Sequence, residues 1–89
     1  MKFAARSILN KLLWDSRIDR RDYEIVYESR GAPEGVERVS ALFLSKVFSR
    51  GFEYEVEGKR KYIPFHRILE IRNVRTGEVV YKSRRHKFY

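Results

Sequence analysis

Two neighbouring side chains in the stretch YIPFHRILEIR have the chemistry to hold an anion. His66 and Arg67 follow shortly after Pro64 and stand between two runs of apolar residues. A guanidinium offers a planar fork of N–H donors for two phosphate oxygens, and an adjacent imidazole can donate another hydrogen bond or stack. The alternative is structural: Arg67 would pair with a carboxylate such as Glu70, while His66 caps a turn.

The same histidine raises the question of catalysis, with His66 as general base in a weak cyclic phosphodiesterase or ribonuclease. The other histidine, His86, is far along the chain, and neither is followed two places later by Ser or Thr, as in two-histidine phosphoesterases. The carboxylates are scattered and no glycine-rich phosphate loop occurs, so we expect no metal site and no cofactor. The sequence therefore favours binding over turnover.

The positive charge of the chain is confined to its last third. Residues 1–58 carry ten Lys or Arg and ten Asp or Glu, so their net charge is zero. Residues 59–89 carry ten Lys or Arg and only two Glu, and they therefore hold the whole net charge of +8. A localised excess is typical of a face that holds phosphates and predicts RNA as a partner. A solvated charged surface, or a face that meets an acidic protein, is the alternative.

The chain length limits the kind of site that can exist. Eighty-nine residues suffice for one domain but not for a large enclosed active site, so the function is expected on an exposed face. The absence of cysteine excludes a disulfide framework, a cysteine zinc site and a thiol nucleophile. The N-terminal apolar segment is too short and too charged to span a membrane, so a cytoplasmic location without a membrane partner is expected. The oligomeric state is not determined.

The elements that position these residues are predicted from periodicity. Ser7–Asp15 has apolar residues at helical spacing, up to and including Trp14, and predicts an amphipathic helix packed on a core. Tyr23–Glu28 alternates as a strand, Gly31–Gly35 is a loop, and a short hairpin turn is expected at Gly58. The expected fold is a single α+β domain over residues 1–89, with the helix on a mostly antiparallel sheet of about five to six strands.

The chain beyond the Gly31–Gly35 loop shows an internal similarity. When Val39–Val47 is laid on Ile63–Ile71, apolar residues coincide at four positions, and each copy continues through a glycine, Gly51 or Gly77, into another strand. We interpret each copy as a strand, a tight corner and a two-stranded hairpin, with chance similarity as the alternative.

The two copies differ at the corner. The first copy has Leu42 and Phe43 where the second has His66 and Arg67. If the repeat is real, the corner folds without His or Arg, so their presence in the second copy needs a reason beyond packing. This comparison favours a site.

The motif Ile-Pro-x-His-Arg-Ile, together with DYEIVYESR and GEVVYKSR, resembles the archaeal family of RNA cyclic-group-end recognition domains over nearly the whole chain. The resemblance implies binding to RNA ends with a 2′,3′-cyclic phosphate, and a role in RNA repair or processing. It also implies an RNA-processing enzyme as partner, since larger members join the domain to phosphoesterase modules. The motif residues carried over are His66, Arg67 and Arg30.

The proposed ligand fits the chemistry of these residues. A cyclic phosphate has one negative charge on two free oxygens, which matches the fork of Arg67 and one donor from His66. Pocket shape and the missing 2′-hydroxyl would distinguish it from an ordinary 3′ end. Tyr62 or Phe65 would stack on the terminal base. Five further cations would follow the upstream phosphates: Lys59, Lys61, Arg72, Arg84 and Arg85.

Overall fold

A computed structural model describes residues 5–83, which form one α-helix and seven β-strands in two antiparallel sheets. The α+β class is confirmed, with seven strands in two sheets where the sequence predicted one sheet of about five to six. The elements are α1 (Ala5–Trp14), β1 (Tyr23–Glu28), β2 (Val36–Ser40), β3 (Leu44–Val47), β4 (Gly51–Val56), β5 (Lys59–Pro64), β6 (Ile68–Asn73) and β7 (Val79–Lys82).

Helix α1 packs on the core through one side, as its periodicity predicts. Ala5, Leu9 and Leu12 are buried along this side. Trp14, which the sequence placed with the apolar residues, is 77% exposed, so that part of the prediction is wrong. Two residues beyond Leu12, Trp14 is turned about 200° around the helix axis and therefore points away from the core.

The strands form a four-stranded sheet in the order β2-β1-β6-β7 and a three-stranded sheet in the order β3-β4-β5. Strands β4 and β5 are joined by the short turn that the sequence predicted near Gly58. Glu57 and Gly58 both have positive φ, 53° and 80°. Positive φ at both central residues is the requirement of a type I′ hairpin turn.

The internal similarity corresponds to two segments with the same order of elements. Each consists of a strand, a three-residue 3₁₀ turn, and two further strands that pair with each other. We call these turns the first corner, Ala41–Phe43, and the second corner, Phe65–Arg67. The first strand of each segment pairs within the sheet that contains the other segment's hairpin, so the chain passes between the two sheets at each corner.

The core between the sheets explains why the corner side chains are exposed. Ile63 before the second corner and Ile68 after it are each 1% exposed. Because the flanking residues point inward, the turn between them projects His66 and Arg67 into solvent. The largest fully buried side chains of this core are Tyr27, Phe52, Leu9, Ile25, Ile63, Ile68, Ile71 and Val26.

Candidate anion-binding cleft

The second corner is held in place by backbone contacts on both sides. Pro64 fixes an extended approach, with φ −63° and ψ 146°. The Phe65 N–H donates to the Arg50 carbonyl at 2.9 Å, and the Ile68 N–H donates back to the Phe65 carbonyl. The backbone that carries His66 and Arg67 is therefore fixed to strand β6 and to the β3–β4 turn.

The connection between β1 and β2 is a hydrogen-bonded turn, in agreement with the predicted loop. The Ser29 N–H donates to the Gly35 carbonyl at 2.8 Å, and the Gly35 N–H donates to the Ala32 carbonyl at 3.0 Å. Gly35 has a φ of 77°, which favours glycine over other residues. The turn presents Arg30 as an exposed side chain.

This turn and the second corner form a cleft of about 450 Å³, which we call the corner cleft. Its volume lies within the range of small-ligand sites. Three of its lining residues, Arg30, His66 and Arg67, are those indicated by the motif resemblance, and they come from distant parts of the chain. The sequence did not identify the remaining three, which are Glu28, Ser29 and Gly35.

The two arginines of the corner cleft are not used in ion pairs with the rest of the described protein. Among residues 5–83, no ion pair involves Arg30 or Arg67. Arg67 is exposed, whereas Glu70 is only 4% exposed on β6. The alternative in which Arg67 pairs with Glu70 is therefore wrong, and the Arg67 guanidinium is accessible to a ligand in the cleft.

Among the described residues, the other predicted phosphate-binding cations, which are Lys59, Lys61 and Arg72, do not line the corner cleft. Lys61 Nζ lies 3.4 Å from Glu37 Oε1, and Arg72 Nε lies 3.1 Å from Glu24 Oε1. Lys59 is exposed at the start of β5. Arg84 and Arg85 lie outside the described residues.

The two predicted stacking residues have different exposures. Tyr62 is 49% exposed on the outer face of the three-stranded sheet, and its ring centroid lies 5.8 Å from that of Phe48. A Cβ built on Gly51 would lie 2.5 Å from Tyr62 Cζ, so the ring leans across the sheet over this glycine. Phe65 is half-buried and packs against the core, so less of its ring is accessible. Phe48, which is 41% exposed, was missed by the sequence reasoning.

A hydrogen-bonded network lies near the first corner, in a depression that Ser40 and Phe43 also line. The Tyr27 hydroxyl donates to Glu37 Oε1 at 2.8 Å and lies 2.7 Å from the Tyr54 hydroxyl. Burial, reinforced by both partners, raises the pKa of Tyr27 well above its ordinary range. The hydrogen bond from Tyr27 lowers the pKa of Glu37, and a hydrogen bond from the cleft residue Ser29 lowers it further. Tyr27 thus belongs to the core, and Glu37 remains an ionised anchor for Lys61 and Ser29.

The described residues also bear on metals and membranes. Between Ala5 and Ser83, no three His, Asp or Glu side chains converge as metal ligands. Over the same range, no helix has the length and apolar character needed to cross a bilayer. Two guanidinium groups and an imidazole line the corner cleft together with one carboxylate, and the first three are groups that can donate hydrogen bonds to an anion.

Comparisons with known proteins assign the chain to a family. The profile of the MJ1316 RNA cyclic group end recognition domain matches residues 1–83. The UPF0248 protein MJ1316 of Methanocaldococcus jannaschii is 43% identical over 82 residues, covering 92% of this chain and 96% of the relative. The UPF0248 protein of Methanococcus vannielii is 38% identical, and the match covers 88% of this chain and 89% of the relative. The UPF0248 protein of Pyrobaculum islandicum is 39% identical, and the match covers 89% of this chain and 88% of the relative. No solved structure matches the chain significantly. The resemblance seen in the motifs is confirmed, and the chain belongs to the MJ1316 RNA cyclic group end recognition domain family.

Proposed function

We propose that this protein binds RNA ends that carry a 2′,3′-cyclic phosphate, and that the corner cleft holds the phosphate. The observation that carries the proposal is the convergence of Arg30 with His66 and Arg67 around one accessible cleft. The family description, which refers to RNA cyclic group ends, supports the same ligand.

The cyclic phosphate suits the donors of the cleft. The Arg67 guanidinium donates to the two free oxygens, Arg30 supplies a second cation, and His66 donates one further hydrogen bond. Hydrogen bonds to charged groups contribute about 1.5–3 kcal/mol each, so loss of Arg67 should remove most of the preference for this end.

The RNA that precedes the end runs toward the outer face of the three-stranded sheet. Tyr62 is four residues before His66, so the two side chains are attached at most ~14 Å apart along the chain. The exposed rings of Tyr62 and Phe48 form a surface on which an unpaired base near the end stacks. Lys59 adds positive charge that attracts the phosphates preceding the RNA end.

In the cell, such a module acts in RNA repair or processing in the cytoplasm. It presents the bound end to an RNA-processing enzyme, since recognition of an end does not itself change it.

Titration with three otherwise identical oligoribonucleotides tests the proposal. The oligonucleotides end in a 2′,3′-cyclic phosphate, a 3′-phosphate or a 3′-hydroxyl, and the first should bind most tightly. Arg67→Ala should abolish the preference for the cyclic end over the hydroxyl. Lys59→Ala should weaken all three and reduce the salt slope by about 1. Equal affinities of the native protein for the cyclic and hydroxyl ends would exclude end recognition, and failure to bind any RNA at moderate salt would indicate an acidic protein partner.

A second candidate is hydrolysis of the cyclic phosphate with His66 as general base. The observation that favours it is the presence of a carboxylate, Glu28, in the same cleft as the imidazole. Incubation of the protein with the cyclic end should then yield a linear monophosphate. Absence of product at high protein concentration would leave binding as the function.

A further inference from the structure

The described arginines divide into those whose guanidinium contacts another polar group of the protein and those whose guanidinium does not. The first group donates a side-chain hydrogen bond or forms an ion pair with another described residue, and it consists of Arg6, Arg17, Arg20, Arg21, Arg38, Arg60, Arg72 and Arg75. Among residues 5–83, three arginines have no such contact, and they are Arg30, Arg50 and Arg67. Arg30 and Arg67 line the corner cleft, and Arg50 does not.

Arg50 is nevertheless attached to the second corner by its backbone. Its carbonyl accepts the hydrogen bond from the Phe65 N–H at 2.9 Å, and Phe65 immediately precedes His66. Residues that share such a bond have Cα atoms about 5.5 Å apart, and consecutive Cα atoms are about 3.8 Å apart, so Arg50 Cα lies within about 9 Å of His66 Cα. The Arg50 side chain therefore starts beside the corner cleft.

Arg50 also adjoins the exposed aromatic rings of the three-stranded sheet. The Phe48 N–H donates to the Gly51 carbonyl at 2.8 Å, so Ser49 and Arg50 form the tip of the β3–β4 turn. The Phe48 ring centroid lies 5.8 Å from that of Tyr62, whose ring leans over Gly51. The exposed Arg50 side chain is thus attached between the cleft proposed for the terminal phosphate and the rings proposed for an unpaired base.

An RNA end has a second anion at a fixed place relative to the cyclic phosphate. The terminal nucleotide carries the cyclic phosphate on its 2′ and 3′ oxygens, and a phosphodiester joins its 5′ oxygen to the preceding nucleotide. One ribose separates the two phosphates, and each of them has one negative charge. A free nucleoside 2′,3′-cyclic phosphate has only the first of these anions.

We infer that Arg50 binds the phosphodiester that joins the terminal nucleotide to the rest of the RNA. The protein then holds two consecutive phosphates and distinguishes an RNA end from a free nucleoside 2′,3′-cyclic phosphate. This inference rests on the proposed function and adds to it one residue and a minimum ligand, a dinucleotide. The planar fork of a guanidinium fits two phosphate oxygens, and Arg50 gives up no ion pair with a described residue to bind them.

The experiment measures binding of three hexaribonucleotides that all end in a 2′,3′-cyclic phosphate. The first has only phosphodiester linkages, the second has a neutral methylphosphonate at the last linkage, and the third has the methylphosphonate at the first linkage. In all three, every ribose except the last is 2′-O-methylated, which keeps the methylphosphonate stable. The native protein should bind the second ligand about tenfold more weakly than the first, because one charge-assisted contact is lost. The third ligand should lose much less.

Arg50→Ala should remove the difference between the first and second ligands, because the side chain that contacts the last linkage is gone. The fold should be retained, since the bond to Phe65 uses the backbone carbonyl, and circular dichroism checks this. Arg17→Ala is the matched control. Arg17 is exposed on the loop after α1, where its guanidinium lies 3.0 Å from Asp15 Oδ2. Its replacement should leave the tenfold difference intact.

The salt dependence of binding provides an independent readout. Each phosphate of a single strand that a cation neutralises contributes about 0.7 to the slope of log affinity against log salt concentration. Arg50→Ala should therefore reduce the slope by about 0.7 for the first ligand. For the second ligand, whose last linkage has no charge, the slope should not change.

Two results would overturn the inference. One is equal binding of the first and second ligands by the native protein, and the other is an equal loss of affinity for both ligands in Arg50→Ala. Failure of the proposed function is a separate result, in which a hexanucleotide with a 3′-hydroxyl binds the native protein as tightly as the cyclic end. The two linkages can still be compared on that hydroxyl-ended RNA, so the two failures are distinguishable.

Discussion

The two corners have nearly the same backbone and different side chains. The residue before the turn is extended in both, with φ −68° and ψ 139° at Ser40 and φ −63° and ψ 146° at Pro64. In both, the N–H of the residue after the turn donates to the carbonyl of its first residue, Ala41 or Phe65. The backbone of the corner is therefore independent of the two side chains that the turn projects.

Those two positions are where the corners diverge. The first corner exposes Leu42 and Phe43, which are 45% and 39% exposed, and the second exposes His66 and Arg67. Folding requires the buried residues on either side of the turn, whereas the two exposed positions can carry side chains of different types without a change of fold. The comparison shows that the fold supplies two equivalent positions and that the chain carries hydrogen-bond donors, an imidazole and a guanidinium, at one of them.

The largest effect is expected when the second corner is given the side chains of the first. His66→Leu combined with Arg67→Phe should leave the fold intact, because both positions are exposed and the first corner already carries these residues. Binding of the cyclic end should weaken by about 3–5 kcal/mol, since the charge-assisted hydrogen bonds are lost. Titration with cyclic-ended RNA measures the loss, and circular dichroism checks the fold.

The reciprocal exchange is the control for this variant. Leu42→His with Phe43→Arg should fold, but it should not create a second site for the cyclic end, because Arg30 lines the cleft at the second corner together with His66 and Arg67. Unfolding of the first double variant would contradict the independence of the corner backbone from its side chains.

The glycines of the two hairpins are equivalent in sequence but are needed for different reasons. At Gly51 a Cβ would lie 2.5 Å from Tyr62 Cζ and 2.6 Å from the Ile63 carbonyl oxygen, whereas at Gly77 it would meet no atom within 4 Å. Gly77 instead has a φ of 84°. Gly51→Ala should therefore cost about 2–3 kcal/mol through steric overlap, and Gly77→Ala about 1 kcal/mol through its backbone conformation.

Urea unfolding of both glycine variants measures this difference in the free energy of unfolding. Gly51→Ala should also displace the Tyr62 ring and weaken RNA binding, while Gly77→Ala should not. Equal destabilisation by the two substitutions would show that the contact with Tyr62 is readily relieved.

The sequence predicted the parts of the fold that depend on local pattern. The helix, the repeated segments and the contrast at the corners follow from periodicity and turn residues, which are short-range signals. The pairing of each segment's first strand within the sheet that contains the other segment's hairpin depends on long-range contacts, so it could not be read from the pattern. The same limit applies to the site: the motif indicated Arg30 and Arg67, but the place of Glu28 beside them is a consequence of folding.

Pairing of charges was the least predictable property. Lys61 and Arg72 look like free cations in the sequence, yet each lies close to a glutamate on another strand. The exposed position of Trp14 was also missed, because a short apolar run does not show where the buried side of the helix ends.

The network beside the first corner should contribute stability with a defined pH dependence. Tyr27→Phe removes the hydrogen bonds to Glu37 and Tyr54 and should cost about 1–2 kcal/mol at neutral pH. Because the Tyr27 hydrogen bond lowers the pKa of Glu37 below its ordinary value of 4.5, its contribution is present above that pH and is lost as the pH falls through the folded-state pKa. The difference between native and variant stability should thus narrow in acid, which urea unfolding at several pH values would measure. A difference that stays constant would mean that Glu37 is not linked to Tyr27.

The smallest expected effect concerns the residue before each corner. At the first corner, Ser40 Oγ accepts a hydrogen bond from the Leu42 N–H at 3.1 Å, while Pro64 makes no such side-chain bond at the second. Ser40→Ala should therefore lower the free energy of unfolding by about 0.5–1 kcal/mol through loss of the cap. Pro64→Ser should be nearly neutral, because a new cap would offset the loss of the ring that restricts the unfolded chain.

Thermal or urea unfolding of these two variants would measure how much the Ser40 cap stabilises the first corner and how much the Pro64 ring stabilises the second. Ser40→Ala should also leave cyclic-end binding unchanged, since Ser40 is not part of the corner cleft. If Pro64→Ser instead destabilised the protein by more than Ser40→Ala, the proline would be essential to the second corner. The two turns would then be alike in backbone geometry but not in how that geometry is stabilised, and grafting one corner's side chains onto the other would have to include the preceding residue.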